Sequence, residues 1–135
     1  MKSIVILISG RGSNMESLLK AVAGGSLPVL VAAVISNRPD AKGLEIAAAQ
    51  DVETCVVDHT RFDSRESFDA AMIKTIDSYS PDLVVLAGFM RILTDIGDPS
   101  RWALILDEAF APVTFITYHL GPHPEEGLEY FREMF

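Results

Sequence analysis

The chain has 135 residues, 49% hydrophobic and 22% charged. That is the make-up of one globular domain, and it excludes a disordered chain, a collagen-like repeat and a disulfide scaffold. The formal net charge is −8 and the pI about 4.7, so neither nucleic acid nor a membrane surface is an expected partner, whereas a small anion is still admitted by local dipoles.

Ile4 to Ile8 is an unbroken run of β-branched residues and leucine, as a strand covered on both faces requires. Gly10 to Ser13 is a turn. The next helix carries Met15, Leu18, Leu19 and Val22 on one stripe and stops at Gly24-Gly25. Val29 to Ile35 is a second buried strand, too short for the roughly 20 residues of a membrane helix. A polar loop, Ser36 to Asp40, leads to a short helix from Gly43 to Gln50 and a third strand from Glu53 to Val57. Asp63 is the expected N-cap of the following helix, with Glu66 completing a capping box. Phe68, Met72, Ile73, Ile76 and Tyr79 keep helical spacing down to Ser80, and Pro81 closes it. Leu83 to Leu86 is a fourth strand, ending at Ala87-Gly88.

This alternation predicts an α/β fold, a doubly wound and mostly parallel sheet with its site at the carboxyl ends of the strands. Three loops qualify: Gly10 to Asn14, Ser36 to Arg38, and Gly88 to Leu93. Past Thr94 the character changes. Residues 95–135 hold eight acids against two bases and seven of the eleven aromatics. The chain therefore divides into residues 1–94 and an acidic, aromatic-rich tail, 95–135. Within the tail, Trp102 to Leu106 and Val113 to Tyr118 read as strands, and Pro124 to Met134 as a helix. The lone cysteine, Cys55, admits no internal disulfide and points to a reducing cytoplasm. Its apolar neighbours make it a small buried hydrophobe.

Ser9-Gly10-Arg11-Gly12-Ser13-Asn14 lies where a strand meets its helix. Glycines there let a backbone approach a ligand, and free amides at a helix start favour an anion such as phosphate. The third glycine of a dinucleotide fingerprint would fall at Met15, and the second strand ends in Ser36-Asn37 rather than an acid. No Gly-Lys-Ser/Thr follows, which excludes a P-loop. Two readings stay open: a phosphate cradle, or a plain turn capped by Ser13. Arg11 and Arg38 read as solvated charges. Ala87 to Leu93 places apolar groups and Arg91 just beyond a strand end, which suits either a planar heterocycle or a buried turn. His119 and His123 flank Gly121-Pro122, a poor frame for a metal, and no metal is expected. His59 reads as a loop histidine.

Four segments in order resemble one family: Val5 to Asn14, Val34 to Ala41, Phe62 to Glu66, and Pro81 to Leu93. They are similar to phosphoribosylglycinamide formyltransferase, the folate-dependent transformylase of purine synthesis, over residues 1–94. The resemblance implies a Rossmann-like formyltransferase fold and transfer of a formyl group from 10-formyltetrahydrofolate to glycinamide ribonucleotide. It implies that Gly12, Ser13 and Asn14 hold the ribonucleotide and its phosphate. It implies that Arg65 contacts folate and that Met90, Arg91, Ile92 and Leu93 line the pterin pocket.

The family's next strand ends in Asn-x-His-Pro-Ser, and a later aspartate partners that histidine. Here the only asparagines are Asn14 and Asn37, the sole His-Pro is His123-Pro124, and no aspartate follows Asp107. The oxyanion donor and the proton-moving histidine are thus not at recognisable positions. His123 is the one remaining candidate. The expectation is a truncated, substrate-binding part joined near Thr94 to an unrelated or out-of-frame tail, with little or no turnover. The alternatives are a non-catalytic module that holds a phosphorylated ligand, and a structural role in which an open sheet edge pairs with a second chain as a homodimer.

Overall fold

The computed structural model describes residues 2–89 in full, and the backbone of two further strands at 102–107 and 114–118. The elements are β1 (Lys2–Ile8), α1 (Ser13–Ala23), β2 (Val29–Ser36), α2 (Lys42–Ala49), β3 (Thr54–Val56), a 3-10 turn (His59–Arg61), α3 (Arg65–Ser78), β4 (Leu83–Ala87), β5 (Trp102–Asp107) and β6 (Thr114–Tyr118). They form one six-stranded sheet in the order β3-β2-β1-β4-β5-β6. The pairings from β3 to β5 are parallel, and β6 runs antiparallel to β5. The doubly wound, mostly parallel sheet expected from the sequence is the fold, and the chain belongs to the Rossmann-like architecture.

Strand alternation sorts the core into two layers. Ile4, Ile6 and Ile8 of β1, with Leu83, Val85 and Ala87 of β4, pack on Met15, Leu18 and Leu19 of α1 and on Ala47 of α2. Val5, Leu7, Ile35 and Val84 point to the opposite face, where Phe68, Met72 and Ile76 of α3 cover them. β1 is covered on both sides, so it can be apolar at every position from Ile4 to Ile8. Each such isoleucine or leucine contributes roughly 1.5–3 kcal/mol by leaving water. The β1–β2 register slips between Ile4 and Val5, which face Val31 and Ala33. Outside the regular ladder, the Ser3 N–H donates to Asp82 Oδ2 at 2.8 Å. The Asp82 N–H returns a bond to the Ser3 carbonyl, also at 2.8 Å.

Two helix starts differ from the sequence reading. The cap of α3 is Ser64, not Asp63: the Ser67 N–H donates to Ser64 Oγ, and the Ser64 N–H donates to Ser67 Oγ. The cause lies in Phe62. Its ring meets Phe68 edge-on at 5.8 Å, and the extended backbone at Phe62 and Ser64 delays the helix until Arg65. The cap of α1 is Gly12, not Ser13. Gly12 sits at φ 70°, ψ 52°, and Ser13 is already the first helical residue. The left-handed conformation turns the chain sharply out of β1, which a serine would resist.

The strands expected at Trp102 to Leu106 and Val113 to Tyr118 are present as β5 and β6. The helix expected at Pro124 to Met134 lies outside the described residues.

Candidate functional site

β1 leads through α1 to β2 and β3 on one side of the sheet, and the chain then crosses to β4 on the other. The strand order reverses between β1 and β4, so a crevice opens outside their carboxyl ends. The loop from Ser9 to Gly12 forms one wall. Gly88, at φ 71°, turns the chain out of β4 on the other.

The loop is pinned from three sides. The Ser9 hydroxyl donates to Asn37 Oδ1 at 2.6 Å, wholly within the protein. The Gly43 N–H, at the start of α2, donates to the Gly10 carbonyl at 3.0 Å. The Glu16 N–H donates to the Gly12 carbonyl at 2.8 Å, closing the first turn of α1. No side chain caps that helix start, so its first amides, at Ser13, Asn14 and Met15, lack the acceptor that a serine or aspartate cap would give them. Gly12 is buried and Ser13 exposed. Asn14 is only 7% exposed, yet its Nδ2 is buried without a hydrogen-bond partner among the described residues. An orphaned buried amide costs about 1–3 kcal/mol. Beside an uncapped helix N-terminus it is a donor without an acceptor, in a place already biased toward negative charge.

The other expected residues fall as follows. Arg65 opens α3 on the opposite layer, exposed, with Nε 3.9 Å from Oδ2 of the buried Asp69. Met90, Arg91, Ile92 and Leu93 lie outside the described residues, as do His119 and His123. Arg11 pairs with Glu16 at 3.3 Å and Arg38 with Asp40 at 3.5 Å, both as exposed charges. Cys55 is half-buried in the α3 layer. Arg65 and the Gly12–Asn14 turn thus stand on different faces of the sheet.

His59 is more than a loop residue. It begins the 3-10 turn after β3, half-buried, with Nδ1 2.9 Å from the Asn37 carbonyl. A carbonyl only accepts, so Nδ1 carries the hydrogen. The sequence held a signal for this: polar residues follow the apolar runs of three consecutive strands, at Ser9, Asn37 and His59. In the same turn, Thr60 donates its hydroxyl and its N–H to Asp58 Oδ1. Those bonds, helped by Arg61, hold the Asp58 carboxyl below its usual range.

A groove of about 560 Å³ runs along β3 instead, with Pro39, Val56, Asp58, Arg61 and Phe62 among its walls. It lies beyond β2, away from the strand-order reversal, and contains neither Asn14 nor Arg65. Among the described residues, no group of three or more His, Cys, Asp or Glu side chains converges on one point. Nor is any described helix long and apolar enough to cross a membrane.

Comparison with known proteins agrees with this fold. The family model for formyl transferase matches residues 2–98. Phosphoribosylglycinamide formyltransferase of Escherichia coli K12 is 48% identical over 92 residues, covering 68% of this chain and 43% of its own length. The chain spans less than half the length of the curated relatives it matches. Among solved structures, glycinamide ribonucleotide transformylase 1 from Symbiobacterium toebii is 38% identical with a TM-score of 0.74, covering 83% of this chain and 54% of that one. Phosphoribosylglycinamide formyltransferase from Coxiella burnetii is 29% identical with a TM-score of 0.72, covering 96% of this chain and 79% of that one.

Proposed function

The chain belongs to the formyl transferase family, and on that premise we propose that it carries the substrate-binding part of a purine-pathway enzyme. That enzyme moves a formyl group from 10-formyltetrahydrofolate to glycinamide ribonucleotide. The ribonucleotide phosphate sits at the start of α1, against the amides of Ser13, Asn14 and Met15. Gly12 gives the backbone room, and the Asn14 Nδ2 supplies a further donor. One observation carries the reading: Asn14 buries an amide that no atom of the described residues satisfies, beside an uncapped helix at the strand-order reversal. The names of the relatives support the choice of phosphate ligand.

The folate side is assigned to Arg65 and to Met90, Arg91, Ile92 and Leu93, with a cytoplasmic home and no resident metal. In the reaction the substrate amine attacks the formyl carbon, the carbon's bond to the folate nitrogen breaks, and the amine's proton passes to that nitrogen. The described residues serve binding and orientation; the proton carrier is unassigned, with His123 the one candidate. A division of the chain near Thr94 fits this reading and is supported by a family match that ends at residue 98.

Calorimetric titration with glycinamide ribonucleotide tests the proposal. Saturable binding that is lost in Asn14→Ala is expected, and no heat at millimolar ligand would overturn it. The second reading, a module that binds the phosphorylated ligand without chemistry, predicts the same titration and no turnover.

A further inference from the structure

We propose that His59 and Asn37 are positioning residues for the anion loop, acting on it through Ser9. The assignment rests on the reading of Gly12 to Asn14 as a phosphate site. The three residues follow three adjacent strands, β3, β2 and β1, at the same edge of the sheet. Ser9 is 3% exposed and Asn37 2%. The Asn37 carbonyl accepts twice from His59, from Nδ1–H at 2.9 Å and from the main-chain N–H at 3.3 Å. The Asn37 side chain lies between both neighbours: its Oδ1 accepts the Ser9 hydroxyl at 2.6 Å, and its Nδ2 is 3.3 Å from His59 Nδ1. Its main-chain N–H donates to the Ile8 carbonyl at 3.4 Å. Asn37 is therefore clamped between the turn after β3 and the residues that immediately precede Gly10.

The far end of this chain is anchored too. The His59 ring stands edge-on to Phe68, 6.5 Å between centroids and 88° between planes. Phe68 is 1% exposed in the core of α3. A ring contact from the α3 layer to His59, and then hydrogen bonds through Asn37, thus lead to the residue that starts the anion loop. A site that binds through backbone amides depends on loop geometry, because those donors cannot turn to find the ligand as a side chain can. His59 and Asn37 are assigned no contact with the phosphate; they act on the loop that binds it.

The experiment compares wild type with Ser9→Ala, His59→Ala and His59→Asn. The asparagine amide can place an N–H where Nδ1–H stood. Binding of inorganic phosphate and of glycinamide ribonucleotide is read by calorimetry on folded protein, and amide hydrogen exchange is followed at residues 10–14. For His59→Ala and Ser9→Ala the expected result is a dissociation constant raised about three- to tenfold, the worth of one buried hydrogen bond. Faster exchange at residues 10–14 should accompany it. His59→Asn should return both to within about twofold of wild type. A purely structural role would lower the melting temperature and leave the affinity of the folded protein unchanged. If wild type binds and His59→Ala binds equally well, the proposal falls. If wild type binds neither probe, the phosphate reading falls, and exchange decides the positioning: unchanged exchange at residues 10–14 overturns it.

Discussion

Gly43, in the first turn of α2, stands so close to Gly10 that helix and loop share a hydrogen bond and leave no room for a side chain. The Gly43 N–H donates to the Gly10 carbonyl at 3.0 Å. A Cβ at position 43 would lie 2.5 Å from Ile8 Cδ1 and 2.9 Å from the Arg11 carbonyl oxygen. The isoleucine tip can swing aside; the backbone oxygen cannot. Gly43→Ala should therefore cost roughly 1–3 kcal/mol by overpacking and should weaken phosphate binding, since the strain falls on the anion loop. Urea unfolding paired with calorimetry checks both. An unchanged midpoint would show that the loop tolerates the displacement.

Asn14→Ala should separate stability from binding. Removing the amide relieves a buried donor without a partner, so the ligand-free protein should be as stable as wild type or gain up to about 1 kcal/mol. Ribonucleotide binding should be lost. A destabilised variant that still binds would contradict the role given to this side chain.

At the start of α3, Ser64→Ala should cost about 1 kcal/mol and Ser67→Ala a comparable amount. Asp63→Ala and Glu66→Ala should stay within about 0.5 kcal/mol, as surface changes away from the cap. The reverse ranking in thermal melts would restore the Asp63–Glu66 cap that the sequence suggested.

Two groups near β3 and the end of α3 have shifted titrations. The Asp58 carboxyl is held low by Thr60. Its contribution is present above the ordinary carboxylate range and vanishes as acid protonates it in the folded state. The melting-temperature gap between wild type and Asp58→Asn should close as pH falls through that range. Burial and a hydrogen bond with Glu53 push the Tyr79 hydroxyl up to about 12. Its contribution is whole below pH 10 and is lost as pH rises toward 12. Tyr79→Phe should accordingly flatten the alkaline end of a stability–pH curve.

For chemistry, the purified chain should show little or no formyl transfer, because binding substrate does not by itself stabilise the transition state. Turnover near the common enzyme value of about 10 per second would refute this. Its loss in His123→Ala would then assign the proton-moving role to His123.

The layers of the fold were legible because β1 and β4 write their burial directly as apolar runs; β2, expected to be buried from Val29 to Ile35, is buried continuously only from Ala33, with Leu30 58% exposed. The stripes Met15-Leu18-Leu19 and Phe68-Met72-Ile76 say which helix faces the sheet. Helix starts were less legible, because they turn on backbone shape. Nothing local distinguishes Asp63 from Ser64 as a cap; the choice follows from Phe62 reaching Phe68. The phosphate turn could be suspected from Gly12-Ser13-Asn14, but the glycine cap and the orphaned Asn14 amide needed coordinates. His59 stands in a loop as expected, but its bond to Asn37 was not legible because the two are 22 positions apart, a distance that no spacing rule spans.

The clasp between Ser3 and Asp82 joins residues 79 positions apart, and it closes the flank of the central strand. During synthesis β1 emerges first and meets β2 early, but its other side stays unpaired until β4 has been made. A nascent chain ending before Leu83 is thus a half-sheet with an open edge, apolar from Ile4 to Ile8, the kind of surface on which strands from other molecules add until the fourth strand arrives.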